Sequence, residues 1–230
     1  MTPWRLIDQS EAADPTRLEL FQRGTEFSIR ANGALLMNSR VHGSEEAQAK
    51  VALEALPDEL LPRARVLVGG LGCGYTLGAT LARLGAGASV TVAELSPAVV
   101  RWNREFFGDV ARTQLEDARV EVLELDVVAL FRARKRTFDA ILLDVDNGPR
   151  AVAPASNAWL YAPPGLTAMR AALGPGGVLA IWSAGPELGF SERLRAAGFN
   201  VECHRTPART GATRRRHWIW VARRIEPVSG

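Results

Sequence analysis

The sequence predicts an α/β fold: a mostly parallel seven-stranded sheet closed by a C-terminal antiparallel hairpin and preceded by a short N-terminal β-hairpin segment. Three observations predict it. From residue 65 onward, short apolar runs alternate with helical stretches joined by short loops, the pattern of a parallel sheet with helices on both faces. The first of these runs ends in a glycine cluster, and the next three each end in an acid. The last two runs are separated by an arginine-rich loop, as the two arms of a hairpin would be.

The elements follow in order. Residues 1–43 read as a small β segment, with a hairpin turn at Asn32-Gly33 between short apolar stretches. Ser44, followed by Glu45 and Glu46, reads as a helix start, and that helix runs to Pro57. Residues 44–230 form the second unit. Arg65 to Val68 is a strand that enters Gly69-Gly-Leu-Gly-Cys-Gly74, and a helix spans Thr76 to Leu84. Ser89 to Ala93 is the next strand, closed by Glu94, and Ser96-Pro97 opens a helix with a cap and a first-turn proline. Arg119 to Leu125 and Phe138 to Leu143 are strands ending at Asp126 and Asp144. A helix over Gly165 to Leu173 leads through Gly174-Pro-Gly-Gly177 into the strand Val178 to Ser183. A helix near Ser191 to Ala197 and strands near Asn200 to His204 and His217 to Ala222 complete the pattern.

Composition sets limits. A chain of 230 residues, 47% of them hydrophobic, has enough apolar side chain for one sizeable core. The start carries no Arg-led apolar stretch, so no signal or transit peptide is expected and a cytoplasmic location is the default. The longest apolar runs are too short to cross a bilayer, so no membrane association is expected. Cys73, Cys203 and the three histidines are scattered, and no metal site is expected from them. Positive charge is nearly all arginine, densest at Arg205, Arg209, Arg214, Arg215 and Arg216. That stretch reads as a solvated loop, and nucleic acid is disfavoured as a partner because no Asn-Pro-Pro-Tyr type motif follows the fourth strand.

In open α/β sheets, ligands sit outside the carboxyl ends of the strands, near the switch in strand order. Four consecutive strand ends of suitable chemistry therefore point to a bound nucleotide. Gly69, Gly70, Gly72 and Gly74 let the main chain approach a ligand. Glu94, about 25 residues after the first glycine, is placed to accept both ribose hydroxyls. Asp126 is placed to accept from an adenine amino group, with the Val127 amide facing a ring nitrogen. The turn lacks the Lys-Ser/Thr of a phosphate-binding loop, and its third glycine breaks the dinucleotide spacing.

These features, with Phe138-Asp-Ala-Ile-Leu-Leu-Asp-Val-Asp-Asn-Gly-Pro149, Leu160-Tyr161 and Leu173-Gly-Pro-Gly-Gly-Val-Leu179, resemble the spermidine synthase (aminopropyltransferase) family. That family lies within the class I methyltransferase superfamily, whose fold is Rossmann-like. The resemblance spans roughly residues 24 to 184 and takes in Met37-Asn-Ser-Arg40 and Ser44-Glu45. It implies a donor of the S-adenosylmethionine type, intact or decarboxylated, and a small amine acceptor. Glu94, Asp126 and Asp144 then match the family's ribose, adenine and catalytic acids.

Three departures are visible. The family's glycine motif usually carries an aspartate that grips the donor's aminopropyl ammonium, and this turn has no acid. The usual Asp-x-x-Asp stretch becomes Asp144-Val-Asp146-Asn147, and the Tyr-His-Glu element becomes Ser44-Glu-Glu. Without the acid, an aminopropyl ammonium in a partly dry pocket lacks its counter-charge, which favours intact S-adenosylmethionine. Asp144 is the expected proton acceptor, Asp146 the acid that orients a cationic acceptor, and Tyr161 a hydrogen-bond partner for the amine. Trp159 either faces a cation or packs in its loop. The alternatives are aminopropyl transfer from decarboxylated S-adenosylmethionine and a nucleotide-binding module without catalysis. A homodimer is expected from the exposed edge hairpin.

Overall fold

The computed structural model describes residues 2–11, 17–133, 135, 137–145, 149, 155–208 and 216–226. Strands β1 (Arg5–Glu11), β2 (Arg17–Arg23), β3 (Glu26–Ala31) and β4 (Ala34–Asn38) form an antiparallel sheet in that order. The expected Asn32-Gly33 turn joins β3 to β4, with φ of 49° and 79° at the two residues. Positive φ at both central positions matches the right-handed twist of the flanking strands. Strands β1 and β2 are additions to the sequence reading, which saw only the hairpin.

Helix α1 (Gly43–Glu54) leads to β5 (Arg65–Gly69), α2 (Tyr75–Leu81), β6 (Ser89–Glu94), α3 (Pro97–Glu105), α4 (Asp109–Leu115), β7 (Val120–Glu124) and α5 (Val127–Ala133). Then come β8 (Phe138–Leu143), α6 (Ala155–Tyr161), α7 (Pro163–Ala172), β9 (Leu173–Ser183), α8 (Phe190–Ala196), β10 (Phe199–Pro207) and β11 (Arg216–Arg224). The second sheet has the order β10-β11-β9-β8-β5-β6-β7. Its core pairs are parallel, while β11 runs antiparallel to both β9 and β10. The strand order reverses between β5 and β8, and this places the crevice above their carboxyl ends. The Gly174-Pro-Gly-Gly177 stretch is a shift of register inside β9: Leu173 pairs with Phe138, and pairing resumes at Val178 with Ala140.

Both faces of the central strands are covered, which is why they read as unbroken apolar runs. Side chains alternate between two clusters with period two. Val66, Val68, Ala140, Leu142, Val178 and Ala180 face α1, α2 and α3, while Leu67, Ile141, Leu143, Leu179 and Ile181 face α5, α7 and α8. Burying each of the larger side chains contributes about 1.5–3 kcal/mol, so the sheet is a rigid floor for whatever its edge carries. The two sheets are tied by Trp102 Nε1, which donates to Asp8 Oδ2 at 2.7 Å, and by the Tyr75 hydroxyl, which donates to the Ser39 carbonyl at 2.8 Å.

Of the two expected helix starts, one has a different cap residue and the other keeps its cap position without the side-chain bond. At α1 the position before the helix is His42, and Ser44 is buried instead of capping. At α3, Ser96 holds the cap position without a side-chain bond to the helix. Its main-chain N–H is held by Glu94, 2.9 Å away, which fixes the chain reversal that a hydroxyl would otherwise secure.

Candidate active site at the carboxyl ends of the strands

The glycine turn leaves β5 against the end of β8. At Gly70, φ is +89° and a Cβ would stand 2.4 Å from the Asp144 carbonyl oxygen, so only glycine fits. Gly72 (φ +53°) sits under the Met37 sulfur of the N-terminal sheet, and Gly74 (φ +81°) precedes α2. Gly69 is walled by Leu143, Val127 and Val145. The four expected glycines thus form one close-packed turn at the switch point.

Glu94 ends β6 directly beside this turn. Its Oε2 accepts the Leu71 N–H at 2.8 Å and its Oε1 accepts the Ser96 N–H at 2.9 Å. Burial pushes the carboxyl above its ordinary value, although the surrounding main-chain amides pull it down. Each carboxylate oxygen has two lone pairs, so bracing the turn leaves capacity for a pair of ribose hydroxyls. Asp126 is the N-cap of α5: its Oδ1 accepts the Val128 N–H at 2.9 Å. The same lone-pair argument leaves its carboxylate able to accept from an exocyclic amine. The Val127 side chain is buried against Gly69.

Asp144 follows β8. Its N–H donates to the Gly69 carbonyl at 2.8 Å, and the Thr76 hydroxyl donates to its Oδ2 at 3.3 Å. The acid is therefore pinned between the β5 end and the first turn of α2. Asp146 lies outside the described residues. Glycine turn, Glu94, Asp126 and Asp144 share one edge of one sheet, as their strand-end positions required.

Tyr161 ends α6. Its ring is buried against Phe190, with centroids 6.1 Å apart, and its carbonyl accepts from Arg193 at 3.3 Å. This packs the ring on the α8 side of the sheet. Trp159 does face a cation, the Arg132 guanidinium 5.1 Å from its ring, so the protein itself fills that role.

Sequence reasoning missed the contribution of α1. Gln48 is fully buried, and its Nε2 donates to the carbonyls of Leu143 at 2.9 Å and Ala180 at 3.1 Å, stapling the ends of β8 and β9. The Ser44 hydroxyl donates to Glu45 Oε2 at 2.6 Å and lies 2.8 Å from His217 Nδ1. The available signal was the pair Ser44-Glu45 one turn before Gln48 on a helix entering the sheet. Among the described residues no group of three His, Cys, Asp or Glu side chains is placed to hold a metal, and no helix is long and apolar enough to cross a membrane.

Sheet order, glycine turn and strand-end acids together define a Rossmann-like α/β fold of the methyltransferase type. The family model for the spermine/spermidine synthase domain matches residues 46–190, and the chain belongs to that family. Among solved structures, spermidine synthase from Thermotoga maritima superposes with a TM-score of 0.76 at 20% identity, over 97% of this chain and 75% of that one. A spermidine synthase in complex with the transition-state analogue AdoDATO gives 0.75 at 19% identity, over 97% and 74%. Human methyltransferase-like protein 13 in complex with SAH gives 0.60 at 20% identity, over 80% and 83%. No protein of curated function matches the chain in sequence.

Proposed function

We propose that the chain transfers a methyl or aminopropyl group from an S-adenosylmethionine-type sulfonium nucleotide to a small amine, with methyl transfer from intact S-adenosylmethionine as the leading form. The observation that carries this reading is the meeting of the glycine turn, Glu94, Asp126 and Asp144 at one sheet edge. The residues fit such a nucleotide: a turn with no room for side chains at Gly70, then an acid for the ribose and an acid for the adenine. The bound donor supplies a carbon activated by its sulfonium.

The chain's own residues supply position and proton handling. An amine acceptor with a pKa of about 10 keeps its proton near neutrality and has no lone pair to attack with. Asp144, held by the Gly69 carbonyl and the Thr76 hydroxyl, accepts that proton. Asp146 orients the remaining positive charge of the acceptor. Aligning nucleophile, carbon and leaving sulfur supplies most of the remaining acceleration.

A second reading, aminopropyl transfer from decarboxylated S-adenosylmethionine, is favoured by the family match over residues 46–190. In that reading Asp146 replaces the acid absent from the glycine turn. Calorimetric titration with each donor separates the two. Tighter binding of the intact form supports methyl transfer, tighter binding of the decarboxylated form supports the second reading, and binding of neither overturns both. Absent turnover with every amine tried would favour a non-catalytic nucleotide binder.

A further inference from the structure

We propose that Glu45, held by Ser44 and His217, is the carboxylate that receives the primary ammonium of a substrate beside the acid-free glycine turn. The assignment rests on the transferase reading and adds to it a residue from α1, outside the four strand ends.

Its position comes from the helix register. Glu45 and Gln48 are three residues apart and so share a face of α1. Gln48 fixes that face on the sheet edge by its bonds to the Leu143 and Ala180 carbonyls, and Leu143 immediately precedes Asp144. Glu45 therefore lies on the same floor as Asp144, one turn nearer the start of α1.

Its surroundings describe an anion prepared for a cation. Glu45 is only 7% exposed, and no arginine or lysine forms an ion pair with it among the described residues. A buried carboxylate with no arginine or lysine beside it is costly until an opposite charge arrives. The helpers are ordered in a line: His217 Nδ1, the Ser44 hydroxyl 2.8 Å away, and Glu45 Oε2 2.6 Å beyond it. With Nδ1–H donating to Ser44 and Ser44 donating to Glu45, the line fixes the carboxylate's orientation and leaves its second oxygen for a ligand. The Trp182 ring packs edge-on against His217, with centroids 4.7 Å apart, and holds the imidazole in place.

A second observation points to a ligand. The Gln48 side chain is 0% exposed, and its Oε1 has no hydrogen-bond partner among the described residues. Because Nε2 is committed to the two strand carbonyls, Oε1 is the arm of the amide directed away from them. A buried acceptor without a donor costs about 1–3 kcal/mol, and an ammonium brings three N–H groups. One would satisfy Gln48 and another Glu45. Titratable groups facing Glu45 include His42, just before α1, Glu46 of α1, and from the glycine turn the Cys73 thiol, which burial and then the Glu45 charge push upward.

The ammonium belongs either to the donor or to the acceptor, and one experiment separates them. Glu45→Gln and the parent are titrated calorimetrically with S-adenosylhomocysteine, with 5′-methylthioadenosine, and with 1,4-diaminobutane at saturating 5′-methylthioadenosine. If Glu45 grips the donor, the variant loses about tenfold or more in affinity for S-adenosylhomocysteine and none for 5′-methylthioadenosine, which has no ammonium. If it grips the acceptor, the loss falls on 1,4-diaminobutane alone. A variant that binds all three like the parent overturns the assignment. A parent that binds neither nucleotide overturns the transferase reading and the assignment with it. Ser44→Ala, which keeps the charge but frees the carboxylate to turn, is predicted to weaken the same probe. Should Glu45→Gln fail to fold, unchanged binding by Ser44→Ala overturns the proposal.

Discussion

Gly70 and Asp144 touch main chain to main chain: a Cβ at Gly70 would lie 2.4 Å from the Asp144 carbonyl oxygen. The backbone of the glycine turn and the backbone at the end of β8 are one packed unit. Gly33 also has positive φ, at +79°, yet nothing lies within 4 Å of its missing Cβ. The pair separates strain from collision. Gly33→Ala is expected to cost about 1 kcal/mol through conformation alone. Gly70→Ala should cost clearly more, lowering the melting midpoint by several degrees beyond Gly33→Ala. Differential scanning calorimetry of the two variants checks this.

Asp144→Asn keeps the shape of the side chain and removes its basicity. Nucleotide affinity is expected to stay within about twofold of the parent, while turnover on an amine falls roughly 10²–10⁴-fold. Equal loss of nucleotide affinity would move Asp144 from proton transfer to donor binding.

Glu94 has two duties, bracing Leu71 and Ser96 and, in the proposed function, holding ribose hydroxyls. Glu94→Gln is predicted to weaken binding of 5′-methylthioadenosine by about 10- to 100-fold. If the ribose contact is real, the parent's preference for the ribonucleoside over its 2′-deoxy analogue shrinks in the variant. A preference left intact would assign Glu94 to bracing alone.

Stability should depend on pH through the same two buried acids. Burial raises the carboxyls of Glu45 and Glu94 above 4.5, so the folded chain holds protons that the unfolded chain has released. Their stabilisation is present at low pH and is lost as pH rises through the folded values. Asp117 runs the other way: Arg119 holds its pKa at about 2, so its contribution is lost as pH falls below 3.8. Melting midpoints of the parent measured from pH 4.5 to 8 should therefore decline relative to those of Glu45→Gln. Parallel curves would show that Glu45 ionises as freely in the fold as outside it.

Much of the sheet was legible because its strands are buried on both faces. Phe138 to Leu143 has the predicted bounds, and Glu94, Asp126 and Asp144 stand where the strand ends put them. The N-terminal sheet was only half legible, because Arg5–Glu11 mixes charge with few apolar residues. What reveals β1 is a long-range partner, Trp102, bonded to Asp8. Ser44 lies inside its helix, while Ser96 stands at the expected cap position without a side-chain bond to the helix. Serine before a helix is a good local cap, but a distant partner, His217, takes the Ser44 side chain, and a near neighbour, Glu94, takes the Ser96 amide. The packing of the Tyr161 ring on Phe190 was not legible, because spacing alone does not encode the direction in which α6 turns its last residue.

The two cysteines differ in a way that makes the glycine turn measurable. Cys73 is buried within it, while Cys203 is exposed on β10, and neither is in a disulfide. A thiol reagent should label Cys203 quickly and Cys73 only when the turn opens. The slow second phase is then a clock for local opening of the glycine turn, and, in the proposed function, a nucleotide that closes the turn should stop it while leaving the first phase untouched.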